Sequence, residues 1–437
     1  MAAGHVQPQT LEERLIYYTI AGSWVLYLVG GLYIASPVLG WSLVALGVAR
    51  SLGLYPHDPG FEHRRRQPLP LGVLVWIASM LVMLLALIVG HMQYDLGFPA
   101  TLKSSIGWMK GWALMAVFAF IGATMNIRPK VIYRASNVLG AQTLALAPIF
   151  LVAALLHLPR VLYVSPLQLV GGPGPEFFTV ELYSVEPTTG APRWRFFAPW
   201  APAAAVIASM AFVFALFDRN RFWQAIGIVS ALVVCLMSQS RMAIIAIPRV
   251  CLLMVVLSNL MQRRIYVFAS LVPALLLPFV GAIMNAVEDA TSAFSGARAS
   301  SSRVRATLQR IALHRWQNEA PIWGHGTVER GPHVVEYMPI GSHHTWNGLL
   351  YVKGAVGFGA LAVPMAWTFV ELIAKAQSDR VARAGLAVLL LIAMFSFGEN
   401  LEILVYLFWP AVIVIGVAMK RPFKAPWRPR LGAHMMA

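Results

Sequence analysis

Charge is the scarcest property of this chain. Asp, Glu, Lys and Arg make up only 12% of its residues while hydrophobic side chains make up 58%, against about 25% and about 45–50% in a soluble domain. That balance excludes a surface wetted on all sides. Cysteine is nearly missing: the 2 present, Cys235 and Cys251, fall in apolar runs and are too few for a disulfide framework or a thiolate metal site. Carboxylates are few as well, 18 Asp and Glu against 34 Lys and Arg. The long polar segments hold no Asp-x-Asp pair, and the adjacent Glu288 and Asp289 point different ways on a helix, so no metal and no cofactor is expected. The net charge of +16 does not mark a nucleic-acid binder, because the basic residues are scattered through loops instead of forming an aromatic-studded basic domain. Also missing are an internal repeat and an inverted pair of interrupted helices. Residues 1–14 lack the charged, apolar and small-residue order of a removable leader.

What is there is a series of apolar runs of about 17–25 residues, each long enough to cross a hydrocarbon core of roughly 30 Å. A single chain segment in lipid must satisfy its own backbone, so these runs are helices. The expected spans are 15–35, 38–54, 71–90, 107–125, 138–156, 201–217, 223–237, 242–260, 265–284, 349–374, 385–397 and 403–418. They define an all-α integral membrane protein of about twelve transmembrane helices in one polytopic domain, 1–437. With the N-terminus inside, His63-Arg64-Arg65-Arg66, the basic stretches 128–134, 218–221 and 375–383, Arg263-Arg264 and the tail 420–430 all fall on the inner side, as the positive-inside rule requires. Both termini are then cytoplasmic.

This parity leaves two long segments outside, 158–200 and 285–347. The first carries a Gly/Pro-rich run at 171–175, then β-branched and aromatic residues at 177–183, then Arg193-Trp194-Arg195-Phe196-Phe197, which reads as a small hairpin or an interfacial segment. The second far exceeds the about 12–15 residues of an ordinary structureless connection, so it is the expected catalytic loop.

That loop breaks the positive-inside bias. It holds Arg298, Arg303, Arg305, Arg310, Arg315 and Arg330, and Ser238-Gln239-Ser240-Arg241 puts another arginine at an outer helix end. Topology does not account for them, whereas a phosphate ligand would, since guanidinium binds phosphate bidentately and stays charged. Snorkelling to ordinary anionic headgroups is the plainer alternative for any one of them. Val304, Leu308 and Ile311 recur at helical spacing, describing an amphipathic helix with one face in lipid and Arg303, Arg310 and His314 together on another.

Downstream lie Pro321-Ile322-Trp323-Gly324-His325-Gly326, Gly341-Ser342-His343-His344-Thr345-Trp346, and a helix containing Gly354 and Gly357. The order Ser-x-Ser-Arg at a helix junction, an arginine-bearing amphipathic helix ending in Pro-x-x-Gly-x-Gly, and a His about eleven residues before Gly-x-x-Gly resembles the O-antigen ligase and polymerase superfamily. These are bacterial membrane glycosyltransferases of the GT-C class. The resemblance covers roughly 193–357. It implies an inner-membrane enzyme that transfers a glycan from undecaprenyl pyrophosphate to a sugar hydroxyl on the periplasmic face, inverting the anomeric carbon without a metal. On that pattern Arg241 matches the junction arginine, Arg305 or a neighbour among Arg303 and Arg310 matches the loop arginine, and His343 matches the family histidine. Many members have Asn after that His, whereas this chain has His344, so the choice between the two imidazoles stays open. The partners implied are the lipid-linked glycan donor, a glycan or lipid-linked acceptor, membrane lipids and other polysaccharide-assembly proteins.

The run after His343 looks more like exopolysaccharide or O-antigen polymerases than like ligases that decorate lipid A core. A transporter of lipid-linked sugars is the rival from another class, but a carrier needs polar groups along the whole membrane path, and these spans are nearly uncharged. Other residues have plain readings. His325 could bind substrate, though a loop His is more often solvated. His91 and His157 sit at outer helix ends as interfacial anchors. Glu399 and Glu402 could pair with the loop arginines, and Trp194 and Trp200 fit an aromatic belt.

Overall fold

The computed structural model describes residues 6–54, 68–186, 190–282, 284–285 and 299–423. The basic run at 63–66, Glu288-Asp289, Arg298 and the tail from 424 onward lie outside the described residues. Fifteen α-helices are described: α1 Leu11–Ala21, α2 Ser23–Leu28, α3 Leu32–Ser51, α4 Leu71–Gln93, α5 Phe98–Lys110, α6 Trp112–Thr124, α7 Pro129–Leu155, α8 Ala201–Phe217, α9 Arg221–Met237, α10 Arg241–Leu257, α11 Arg263–Leu276, α12 Ala299–Glu319, α13 Thr345–Ala376, α14 Arg380–Phe395 and α15 Leu401–Lys420. Among the described residues 7 helices are long and apolar enough to cross a membrane, with α5 and α6 taken together, and α8 and α9 are shorter apolar helices. This is a multi-pass membrane protein.

Several boundaries differ from the sequence reading: α7 begins at Pro129 and not near 138, and two breaks are placed differently. The break expected near Pro37 is not there, since α3 runs through Pro37 and the chain turns instead at Gly30, φ 74°. Pro37, the sixth residue of α3, removes one i→i−4 hydrogen bond, that to the Tyr33 carbonyl, without ending the helix. The span expected at 107–125 is divided at Gly111, where φ −118° and ψ −102° end α5. The hairpin expected in 158–200 is present: Val161–Val164 pairs antiparallel with Thr179–Glu181, and Ser184–Val185 with Pro192–Arg193.

At the centre α6 and α15 pack against each other so closely that a Cβ on Gly122 would stand 2.2 Å from the Ile413 carbonyl oxygen, and one on Gly416 would stand 2.1 Å from that of Ala119. Small residues let helices approach by van der Waals contact where lipid offers no hydrophobic drive. Aromatic residues of the 158–200 segment, Phe177, Phe178, Trp194 and Phe196, are buried in the same core.

The helix ends sort into two sets. At one, Arg50 pairs with Glu12, Arg128 with Glu13 and Arg134 with Asp218, while Lys420 donates to the Met125 carbonyl and Lys375 to that of Met419. The described basic stretches gather here. The other set carries the two hairpins, α12 and the turn between α14 and α15.

Candidate active site

The apolar face of α12 is formed by Val304, Leu308 and Ala312, which are 8%, 2% and 0% exposed. It packs on Val335 and Met338 and, one turn on, beside Ile340, Tyr351 and Val352. The face expected in lipid is therefore protein-covered, because the chain from 331 to 340 folds back beneath it. Arg303, Arg310 and His314 are exposed on the opposite side, as their spacing required, and Arg310 reaches only Thr307 Oγ1 at 3.3 Å. Arg305 is half-buried.

The helix that follows is broken. Within α13, Gly354 has φ 62° and ψ −164°, a conformation essentially reserved for glycine. The break frees backbone groups on both sides, and the loop 321–326 takes them up. His325 N–H donates to the Tyr351 carbonyl and Gly326 N–H to that of Val352, both at 2.9 Å, while Ala355 N–H donates to Pro321 O at 2.9 Å and Val356 N–H to Ile322 O at 3.2 Å. Irregular backbone inside a membrane bundle persists only when protein satisfies it in this way. The fit explains the motif: a Cβ on Gly354 would meet Ile322 O at 2.1 Å, and one on Gly324 would meet Lys353 N at 2.4 Å. Pro-x-x-Gly-x-Gly and Gly-x-x-Gly are two halves of one joint.

His343 and His344 stand just before α13. Thr345 N–H donates to Ser396 O, Thr345 Oγ1 to Glu399 O and Trp346 Nε1 to Ser396 Oγ, which ties this entrance to the turn between α14 and α15. His344 is committed as the helix cap, its Nδ1 accepting from Asn347 N–H at 3.2 Å. His343 makes no such bond. Burial, with the Arg305 charge nearby, pushes the His343 imidazole down to about 4, so the ring is neutral and able to take a proton.

Glu399 completes the group. It is 5% exposed, its Oε2 accepts from Trp200 Nε1 at 2.8 Å, and burial raises its carboxyl to about 7 against the lowering charges of Arg305 and Arg193. Arg305 thus acts electrostatically on both His343 and Glu399. Arg193 is anchored to Glu186 Oε2 at 2.9 Å and to Ser238 O at 3.1 Å. The start of α10, where Arg241 sits, abuts the same turn, since a Cβ on Gly398 would lie 3.0 Å from Met242 Cε. Trp200 and Trp194, whose Nε1 donates to Phe150 O, are interior residues and not an aromatic belt. Neither glutamate pairs directly with a loop arginine: Glu402 faces the buried Lys353 at 3.6 Å.

Arg315, grouped by sequence with the loop arginines a phosphate would account for, has protein partners instead. Its guanidinium bonds Glu319, Glu329 Oε2 at 2.7 Å and the Tyr351 hydroxyl at 2.7 Å, clasping α12 to the broken helix, and these partners raise its already basic guanidinium further. His325 is 2% exposed, between Tyr351 O at 2.9 Å and Glu319 Oε2 at 2.8 Å and stacked on the Tyr351 ring at 4.4 Å. It is a buried strut and not a solvated loop residue. His91 is also interior, with Nδ1 on Leu87 O and Nε2 on Ser104 Oγ, each at 2.9 Å. Among the described residues no three His, Cys, Asp or Glu stand together as metal ligands.

A bundle of apolar helices with arginine, histidine and a buried carboxyl gathered at the end away from the basic stretches defines a multi-pass membrane protein with a candidate anion-handling centre. The family model described as O-Antigen ligase matches residues 226–365, a stretch that includes Arg241, Arg305, His325 and His343. Over residues 226–365 the chain is thus similar to the O-antigen ligase family. No curated protein matches the chain significantly.

Proposed function

We propose that the protein is a membrane glycosyltransferase that moves a glycan from undecaprenyl pyrophosphate to a sugar hydroxyl on the periplasmic side, extending exopolysaccharide or O-antigen repeat units. The observation that carries this is the convergence of Arg305, His343 and Glu399 at the bundle end opposite the basic stretches, within and beside the segment matched by the O-Antigen ligase family. The acceptor oxygen bonds to the anomeric carbon while the bond from that carbon to the pyrophosphate oxygen breaks, with inversion. The electron pair leaves with the pyrophosphate, where Arg241 and Arg305 offset its charge. The acceptor proton passes to His343. Burial is the larger cause of the depressed His343 basicity and the Arg305 charge the smaller one, so a bound dianion beside Arg305 would offset only the smaller part. No metal takes part.

A second assignment has its own support. Glu399, at about 7, already has the basicity suited to neutral pH, and it would serve as base with His343 holding the hydroxyl. The two differ in pH dependence: a Glu399 base loses rate as pH falls through about 7, whereas a His343 base at about 4 leaves the rate level there. Purified protein incubated with lipid-linked repeat unit tests the reaction itself. Lengthening glycan with release of undecaprenyl pyrophosphate supports polymerisation, one-step transfer to lipid A core supports ligation, and vectorial movement without bond exchange would mean a transporter.

A further inference from the structure

At the end of the bundle away from His343 a cleft of about 510 Å³ opens between α1, α7 and α9, within the about 300–1,000 Å³ of ordinary ligand pockets. Its walls include Gln7, Arg14, Tyr17, Tyr18, Arg134 and Trp223. The other end of α9 locates it, since the Met237 carbonyl accepts from Trp194 in the external hairpin layer. The cleft is built and not a gap beside a loose terminus. Arg128 donates to Gln7 O at 2.8 Å, Gln9 N–H to Glu13 Oε2 at 2.8 Å, and Thr10 caps α1.

The charges around it do not cancel. Glu12 is taken by Arg50 and Glu13 by Arg128. Asp218 holds Arg134 through Nε and Nη2, both at 3.0 Å, and the Arg134 guanidinium lies 5.2 Å from the Trp223 ring centre. Every carboxylate near the cleft is thereby spent on another arginine. Arg14 is exposed and forms no ion pair among the described residues, so the cleft presents one uncompensated guanidinium flanked by two phenols. Val138, Tyr18 and Trp223 supply its apolar rim, Tyr18 being 66% exposed.

We propose that this cleft binds the phosphodiester headgroup of an anionic glycerophospholipid, with Arg14 on the phosphate, the Tyr17 and Tyr18 hydroxyls as further donors and the acyl chains leaving over the apolar rim. One net negative charge on the ligand matches one unpaired cation, and Tyr and Trp at the rim suit a boundary that is apolar on one side and wet on the other. A free phosphate shares the headgroup chemistry but has no use for the rim.

The test is lipid retention by the detergent-purified protein, read by native mass spectrometry and by thermal shift, with dioleoylphosphatidylglycerol, dioleoylphosphatidylcholine and inorganic phosphate as probes. Phosphatidylglycerol is retained and raises the melting temperature, and the other two do so far less. Arg14→Gln weakens phosphatidylglycerol binding by about tenfold, the value of one charge-assisted hydrogen bond. Arg14→Lys, which keeps charge and loses the fork, falls between. Lys130→Gln, an exposed basic residue of the same end outside the cleft, binds like wild type. Arg14→Gln binding as well as wild type, Lys130→Gln losing as much as Arg14→Gln, or inorganic phosphate protecting as well as the lipid would each overturn the proposal.

Discussion

Replacing Gly354 with alanine tests whether the broken helix is held open by the 321–326 loop. The added Cβ would stand 2.1 Å from Ile322 O and 2.6 Å from Trp323 N, so the loop must withdraw or the helix must straighten. Either response breaks the four backbone hydrogen bonds between 321–326 and 351–356, together worth about 2–6 kcal/mol net. The backbone conformation itself costs a non-glycine residue about 1–3 kcal/mol more. The loss also reaches the Arg315 clasp, because Tyr351 carries both the hydroxyl that Arg315 bonds and the carbonyl that His325 bonds. Thermal unfolding of the purified protein, followed by tryptophan fluorescence, should show a melting temperature lowered by several degrees, with glycan transfer falling in parallel. Gly359→Ala gives a mild comparison in the same helix, since nothing lies within 4 Å of its added Cβ. The shift per kcal/mol is roughly 2–4 °C at 150–250 residues and smaller for longer chains. A loss of at least about 3 kcal/mol still shifts melting by more than about 1 °C, so a Gly354→Ala protein melting within about 1 °C of wild type would refute the joint.

The remaining expectations concern charge. Between pH 4.5 and about 7 the folded protein keeps a proton on Glu399 that an unfolded chain has released, so this residue's contribution to stability falls as pH rises through that window, by about 3 kcal/mol in all. His343, pushed down to about 4, gives the opposite slope below pH 6.5. The readout is therefore the difference between wild type and Glu399→Gln, and a difference independent of pH would show that Glu399 is ionised when buried. Arg241→Lys and Arg305→Lys keep charge but lose the bidentate fork, so transfer should drop at least tenfold in each. Full activity in both would rule out a specific phosphate clamp. Wild-type transfer should persist in chelator, and loss restored by magnesium would contradict the metal-free mechanism.

The membrane character was legible because hydropathy depends on run length alone: the expected span 201–217 coincides with α8. The turn at Gly30 and the division at Gly111 were not, since each depends on how neighbouring helices pack. Arg241 and Arg305 were singled out because arginine on an expected outer loop violates a topological bias, and His343 because its spacing before Gly354 and Gly357 resembles the O-antigen ligase and polymerase superfamily. Spacing did not separate Arg305 from Arg303 and Arg310, which required knowing which side of α12 the 331–340 segment covers. Pro-x-x-Gly-x-Gly was readable as a motif but not as a joint, because its partner lies some thirty residues on, at Gly354. Glu399 looked like a surface pairing partner. Its burial beneath Trp200 comes from the folding of the 158–200 segment into the core, a contact spanning 199 residues with no local signature.

The central claim is that His343 takes the proton at a transfer centre while His344 only caps the helix that positions it. It is tested most directly by comparing His343→Ala and His344→Ala in transfer from purified lipid-linked repeat unit, with thermal unfolding to confirm that both proteins are folded. Loss of a general base costs about 10²–10⁴ in rate, while loss of a cap hydrogen bond costs about tenfold or less. The account predicts no detectable polymer from folded His343→Ala and measurable polymer from His344→Ala. Turnover by His343→Ala at the wild-type rate would contradict it.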